Sequence, residues 1–240
     1  MVYQAAHGEI LMRTQNAFVA LFALTVMLLS CSSFATGPRP SSLFIRQAWM
    51  FESITFEIAP ITSASPDPRA LDLFRNRLHE NHFSHRDRID FRVRRNVNAV
   101  SPGAIWDMEM LRTYESHRRF LFDDDPTDSD LNVFVAYIDG PWLDETGLRL
   151  LGGIQYSPSA FAIFKTGAIG REESVLLHEF GHLIGLVNVE TCANHDSEHS
   201  RHCVNQSCAM FYTAPGRNAD FDPYCKREIA RLIQLGQNED

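Results

Sequence analysis

Residues 178–182 read His-Glu-Phe-Gly-His. On a helix, His178 and His182 stand four positions apart, so both imidazoles project from one face. Two rings at that spacing can share one zinc ion at roughly 2.0–2.1 Å each. Glu179 follows the first candidate ligand and would flank the metal. There a carboxylate can take a proton from a water whose pKa the ion has lowered, and later hand it to a leaving amine. The chemistry this pattern points to is hydrolysis of a peptide bond, with zinc as cofactor and a protein or peptide as substrate. A five-residue pattern with three fixed positions also arises by chance, but three features raise it here. The surrounding segment is apolar (Val175, Leu176, Leu177, Leu183, Ile184, Leu186), so polar residues intrude at one spot of a core helix. Five of the ten histidines fall between positions 178 and 202. The chain also begins as exported proteins do, a context that suits zinc hydrolysis.

The pattern continues to Gly185, and His-Glu-x-x-His-x-x-Gly resembles the metzincin clan of metallopeptidases. The resemblance implies that Gly185 ends the active-site helix and turns the chain sharply, because glycine takes φ > 0 cheaply. It also implies a third zinc ligand three residues later, a position held here by Asn188, a poor ligand for zinc. The stretch His202-Cys203-x-x-x-x-Cys208-x-Met210 is similar to the one archaemetzincins place directly after their glycine, as though the fourteen residues Asn188 to Arg201 had been inserted. His202 is therefore the expected third ligand. His199 and His195 are the alternatives, and Asp196 and Asn188 are outsiders. Met210 would be the Met-turn residue, packed beneath the metal, although a buried methionine is ordinary core by itself. Met210-Phe211-Tyr212 also resembles the Met-x-Tyr of astacins and serralysins. That implies a Tyr212 hydroxyl that binds the metal or steadies an oxyanion; a packed aromatic is the bland alternative. The resemblance covers about residues 171–215.

These residues need elements to position them. Met50 to Ile58 alternates and is rich in β-formers, so it reads as a strand. Pro68 to His82 carries Leu71, Phe74 and Leu78 at helical spacing. Arg88 to Val97 reads as a second strand and Ile105 to Phe122 as a second helix. Leu131 to Ile138 is a continuous apolar run, as a strand buried on both faces would be. Gly152 to Phe164 reads as one or two further strands, with Pro158 marking an edge or bend. A helix runs from near Arg171 to about Val187, and a last one over Asp222 to Leu235, started by Asp222-Pro223. This order gives an α/β fold: a single metzincin-like domain with a mixed twisted sheet, a backing helix, an active-site helix and a cysteine-rich irregular C-terminal part. By analogy with the clan, Gly152–Phe164 would supply the edge strand that aligns an extended peptide.

The chain has 240 residues, 45% of them hydrophobic and 22% charged, which suits one domain with a sizeable core. The formal net charge is −8, and no long basic stripe appears, so nucleic acid is excluded as a partner. Arg86 to Arg95 holds five arginines and reads as a solvated strand face and turn. Ala17 to Leu29 is an uncharged run of thirteen residues, too short for a bilayer, which needs about 20. It has the length of a signal-peptide core, and Leu28-Leu29-Ser30-Cys31 resembles a bacterial lipobox. The expected organisation is a signal peptide with lipobox over residues 1–31, a flexible tether over 32–48 and a metallopeptidase domain over 49–240. Such a protein is exported to the cell envelope, anchored to a bacterial membrane through a lipid on Cys31, or secreted, and is expected to be a monomer. Four cysteines remain: Cys192, Cys203, Cys208 and Cys225. In an oxidising compartment an even count points to two disulfides, with a four-cysteine zinc site as the competing reading. The further Cys-x-x-Cys pair of archaemetzincins is absent, since only Cys225 remains of it. The acidic run Asp123 to Asp130 would suit calcium, but a solvated loop is the commoner reading.

Two other functions compete. One is a non-catalytic zinc-binding lipoprotein that binds a peptide or partner, supported by Asn188 and the long insertion. Glu179 argues against it, because holding zinc does not require that carboxylate. The other is a structural surface lipoprotein in which the motif is accidental.

Overall fold

The computed structural model describes residues 53–61, 64–83, 88–95, 103–120, 130–149, 151–165, 172–187, 194–212, 218 and 220–237. The expected signal peptide, lipobox and tether, the acidic run before Asp130, Asn188 and Cys192 lie outside them. In chain order the elements are β1 (Ser53–Pro60), α1 (Pro68–Leu78), β2 (Arg88–Val93), α2 (Met108–Arg118), β3 (Asp130–Ile138), β4 (Trp142–Asp144), β5 (Gly147–Arg149), β6 (Gly153–Ser157), β7 (Ala160–Phe164), α3 (Glu172–Leu183) and α4 (Pro223–Gln237).

The sheet order is β2-β1-β3-β7-β6. β1 runs parallel to both β2 and β3, and β3 runs parallel to β7. Only the edge strand β6 is antiparallel, joined to β7 by the turn at Pro158 and Ser159. The sheet is therefore mixed, as expected, and the Gly152–Phe164 stretch divides into two strands with the proline at the bend. A parallel sheet needs both faces covered, which explains the continuous apolar run of β3. Its side chains alternate: Val133, Val135 and Tyr137 join one core and Phe134, Ala136 and Ile138 the other. α1 and α3 cover the first face and α2 the second, where Trp106, Leu111 and Tyr114 are buried.

Local signals set the helix starts. The Asp67 side chain accepts from the Arg69 amide, with Pro68 at the first helical position, and the Asp107 side chain accepts from the Met110 amide. The second helix is shorter than its apolar spacing suggests, because Arg119 already adopts an extended backbone. The β4–β5 hairpin has three-residue strands, too short for a periodic signal, and sequence reading misses it. Among the described residues no helix is long and apolar enough to cross a membrane.

Phe180 of α3 is the hub of the first core, with its ring 5.5–6.0 Å from those of Phe83, Phe56 and Phe74. It points away from the two histidines that flank it in sequence. Phe180→Ala should destabilise the fold by about 3–5 kcal/mol in urea unfolding. A loss below about 1 kcal/mol would mean that α3 is not anchored through this ring.

Candidate metal centre

All twelve residues of α3 are buried. Val175, Leu176, Leu177, Phe180 and Leu183 belong to the core, while His178, Glu179 and His182 line a cleft of about 560 Å³. The helix ends as the Gly185 signal anticipates. Gly185 sits at φ 84°, its amide donates to the His182 carbonyl, and the Leu186 amide donates to the Gly181 carbonyl. These two bonds form a Schellman motif. The chain then leaves through Val187, a β-branched residue held at φ 57°.

The structure brings His178, His182 and His202 together, one ring nitrogen from each lying within 4.8 Å of the others. The ring centroids are 4.7, 4.9 and 5.3 Å apart. Nε2 of His178 and Nε2 of His182 are separated by 3.1 Å, against about 3.3 Å for two nitrogens on one tetrahedral zinc. The outward nitrogens are engaged where orientation demands it. His178 Nδ1 lies 2.6 Å from the Ala209 carbonyl, and His202 Nδ1 lies 3.0 Å from the Ser200 carbonyl. A carbonyl partner fixes the proton on Nδ1 and turns the Nε2 lone pair toward the cleft. His182 Nδ1 is buried without a hydrogen-bond partner among the described residues. Burial pushes all three imidazoles below their ordinary range, His178 to about 4, with the neighbouring rings adding to the effect. All three are thus neutral at pH 7, the form that donates to a metal. The donor set and its spacing fit a zinc-type ion.

The alternatives for the third position are not part of this cluster, although His199 lines the same cleft. His199 pairs with Asp196 at 3.0 Å and stacks on Tyr212, with ring centroids 3.4 Å apart. His195 forms an isolated bridge with Cys203. Tyr212 lines the cleft, with its ring 6.4 Å from that of His202.

Glu179 is buried, and desolvation pushes its carboxyl up to about 8 against the opposing pull of the Arg201 charge and the Gln155 amide. The edge strand lies directly on it. A Cβ at Gly153 would stand 2.7 Å from Glu179 Cγ, so only glycine lets β6 approach this closely. A second glycine does the same beneath the helix: a Cβ at Gly181 would meet Met210 Sδ at 2.3 Å. Met210 is fully buried against the helix that carries the histidines. Sequence reading missed Gly153, Gly181, Gln155 and Arg201, because each matters through a partner far away in the chain.

The cysteines correct an expectation. Cys203, Cys208 and Cys225 are buried free thiols, and Cys208 Sγ lies 3.6 Å from Cys225 Sγ, well beyond a disulfide bond of about 2.05 Å. They converge with Asp222, one ligand atom from each within 4.8 Å of the others. Asp222 serves two purposes. Its Oδ1 accepts from the Tyr224 and Cys225 amides at the start of α4, and its Oδ2 lies 3.5 Å from Cys203 Sγ. The other two thiols hold Cys208 down at about 4 and are themselves pushed up. Three sulfurs and one carboxylate could hold a second, structural metal. Among the described residues the fourth group is Asp222; Cys192, the remaining thiol of the four-cysteine reading, lies outside them.

The fold has known counterparts. The archaemetzincin of Methanopyrus kandleri superposes with a TM-score of 0.50 at 14% identity, over 76% of this chain and 97% of that one. The two chains share a fold. The metalloproteinase-II of Bacteroides fragilis superposes with a TM-score of 0.47 at 12% identity, over 76% of this chain and 53% of that one. The present chain thus spans about half the length of the latter. No family model matches the sequence, and no curated protein matches it.

Four substitutions probe this geometry. His202→Ala should cost metal at the histidine site, while His199→Ala and His195→Ala keep it, as read by metal analysis after dialysis. Retention in His202→Ala with loss in either of the others would move the third ligand. Gly153→Ala should cost under about 1 kcal/mol of stability, because the colliding group is the flexible end of a glutamate. Metal content should stay unchanged while any hydrolysis falls at least about tenfold, because Glu179 is displaced. Unaltered hydrolysis would mean that this contact does not position the carboxylate.

Proposed function

We propose that the protein is a zinc-dependent endopeptidase acting on proteins or peptides outside the cytoplasm. The observation that supports this reading above all is a buried carboxylate, Glu179, in one cleft with three neutral imidazoles whose nitrogens converge. Burying a carboxylate is costly unless something compensates it. A site that only held metal would have no use for it. His178, His182 and His202 would hold the zinc, which would supply a Lewis acid to polarise the scissile carbonyl and lower the pKa of the attacking water. The protein's own groups do the rest. The positive charge of a zinc ion beside Glu179 would oppose the desolvation that raises its carboxyl to about 8, leaving a carboxylate that can accept the water's proton and deliver it to the departing nitrogen. The Tyr212 hydroxyl steadies the developing oxyanion. The ring of Tyr212 rests on His199, which Asp196 fixes in turn. Among the described residues β6 is an edge strand with one side unpaired, and it borders the cleft through Gly153, Ile154 and Gln155, so an extended peptide can align along it. Such alignment uses backbone rather than chain ends, which suits cleavage within a chain.

Export is part of the same reading. The segment over residues 1–31 acts as a signal peptide, and a lipid on Cys31 ties a monomer to the bacterial envelope. Palmitate labelling that disappears in Cys31→Ser would support this anchor; a soluble, unlabelled product would remove it.

The decisive variant is Glu179→Ala. It should retain metal and lose peptide hydrolysis by about 10²–10⁴-fold. Chelator treatment should abolish hydrolysis in the wild type, and zinc should restore it. A zinc-loaded wild type that cleaves no member of a peptide library would instead favour the non-catalytic binding protein.

A further inference from the structure

Arg201 immediately precedes His202 and holds a left-handed backbone, φ 69°, an unusual place for an arginine. Its Nη2 donates to Gln155 Oε1 at 2.6 Å and reaches the His182 carbonyl at 3.3 Å. One guanidinium therefore spans three parts of the centre. These are the loop that carries His202, the C-terminal turn of α3 that carries His182, and the edge strand that lies on Glu179. Gln155 is a fixed post rather than a loose one. Its Nε2 donates to the Ser157 carbonyl across the bulge in β6, and its backbone amide donates to the Glu179 carboxylate.

We infer that Arg201 is a positioning residue that bolts the His202 loop to the end of the active-site helix and to the edge strand. It thereby sets the third metal ligand and the peptide-binding strand in one register. The inference extends the zinc-peptidase reading, and its metal arm holds independently of hydrolysis. His202 arrives on a loop twenty residues after His182, so nothing in the helix itself fixes where that imidazole lies. The loop has internal order: the Asp196 amide donates to the His202 carbonyl and the His202 amide to the His199 carbonyl. Those bonds shape the loop without tying it to α3 or β6; the Cys203 amide anchors its far side to the Met210 carbonyl, and Arg201 ties it directly to α3 and β6. An arginine suits the task because its planar fork presents several fixed donors to acceptors on different elements, which a lysine ammonium cannot reproduce.

The test uses the full-length protein carrying Arg201→Ala, Arg201→Gly, Arg201→Lys or Gln155→Ala. Metal affinity is read with zinc by chelator competition. The visible spectrum of the cobalt(II)-loaded protein reports the nitrogen-bound ion separately from any thiolate-bound one. Arg201→Ala and Arg201→Gly should weaken metal at the histidine site by about 10- to 100-fold and alter the cobalt spectrum. Arg201→Lys should recover only part of that loss. Gln155→Ala should keep metal affinity within about twofold, yet raise KM for an extended peptide more than it lowers kcat. Glycine is at ease at φ 69°, so wild-type behaviour of Arg201→Gly would show that backbone shape alone places His202 and would overturn the inference. Full recovery by lysine would do the same, by reducing the role to charge. If the alanine variant fails to fold, the lysine and Gln155 variants still decide. If no variant and no wild type cleaves peptide while the metal effects appear as stated, the peptidase reading fails and the positioning role stands.

Discussion

Three imidazole lone pairs aimed at one point are the constraint on which the centre depends. Facing nitrogens 3.1 Å apart repel one another unless a cation lies between them or one ring carries the shared proton. Burial pushes proton binding down at all three rings, which leaves their lone pairs free for another partner. The Ala209 carbonyl, behind His178, is contributed by the same turn that delivers Met210. The turn beneath the histidine cluster and the orientation of His178 are therefore one structural feature.

Close approach of backbone to side chain recurs throughout the site. Gly153 lets the edge strand rest on Glu179, and Gly181 lets Met210 rest on α3. Each glycine sits where a methyl group would enter the space of a functional or packing side chain. The helix tolerates the poor propensity of Gly181 because it is buried along its whole length and held by tertiary contacts such as those of Phe180.

Much of this could be read from residue order. The α/β class, the mixed sheet, the central buried strand and the helix that turns at Gly185 all follow from patterns local in sequence. The spacing of His178 and His182 is likewise local. What escaped is what depends on distance through space. The thiols of Cys203, Cys208 and Cys225 were expected to pair, because an even count in an exported chain suggests it. Residue spacing says nothing of sulfur separations, and it did not reveal that a helix-capping carboxylate, Asp222, would turn toward them. Arg201 looked like one more charged residue in a polar insertion, since its partners lie 46 and 19 positions away. The small β4–β5 hairpin was hidden by its brevity.

The long route from His182 to His202 has an energetic meaning of its own. On the proposed ligand set, placing the third ligand twenty residues after the second, rather than six, raises the closure entropy by only about 1 kcal/mol, because that penalty grows with the logarithm of length. This is less than a tenfold change in metal retention. A segment that long can absorb substitutions, insertions or a bound partner at its rim without any ligand changing. On the proposed ligand set, metal retention could thus be tuned from the rim of the site at little cost in closure entropy.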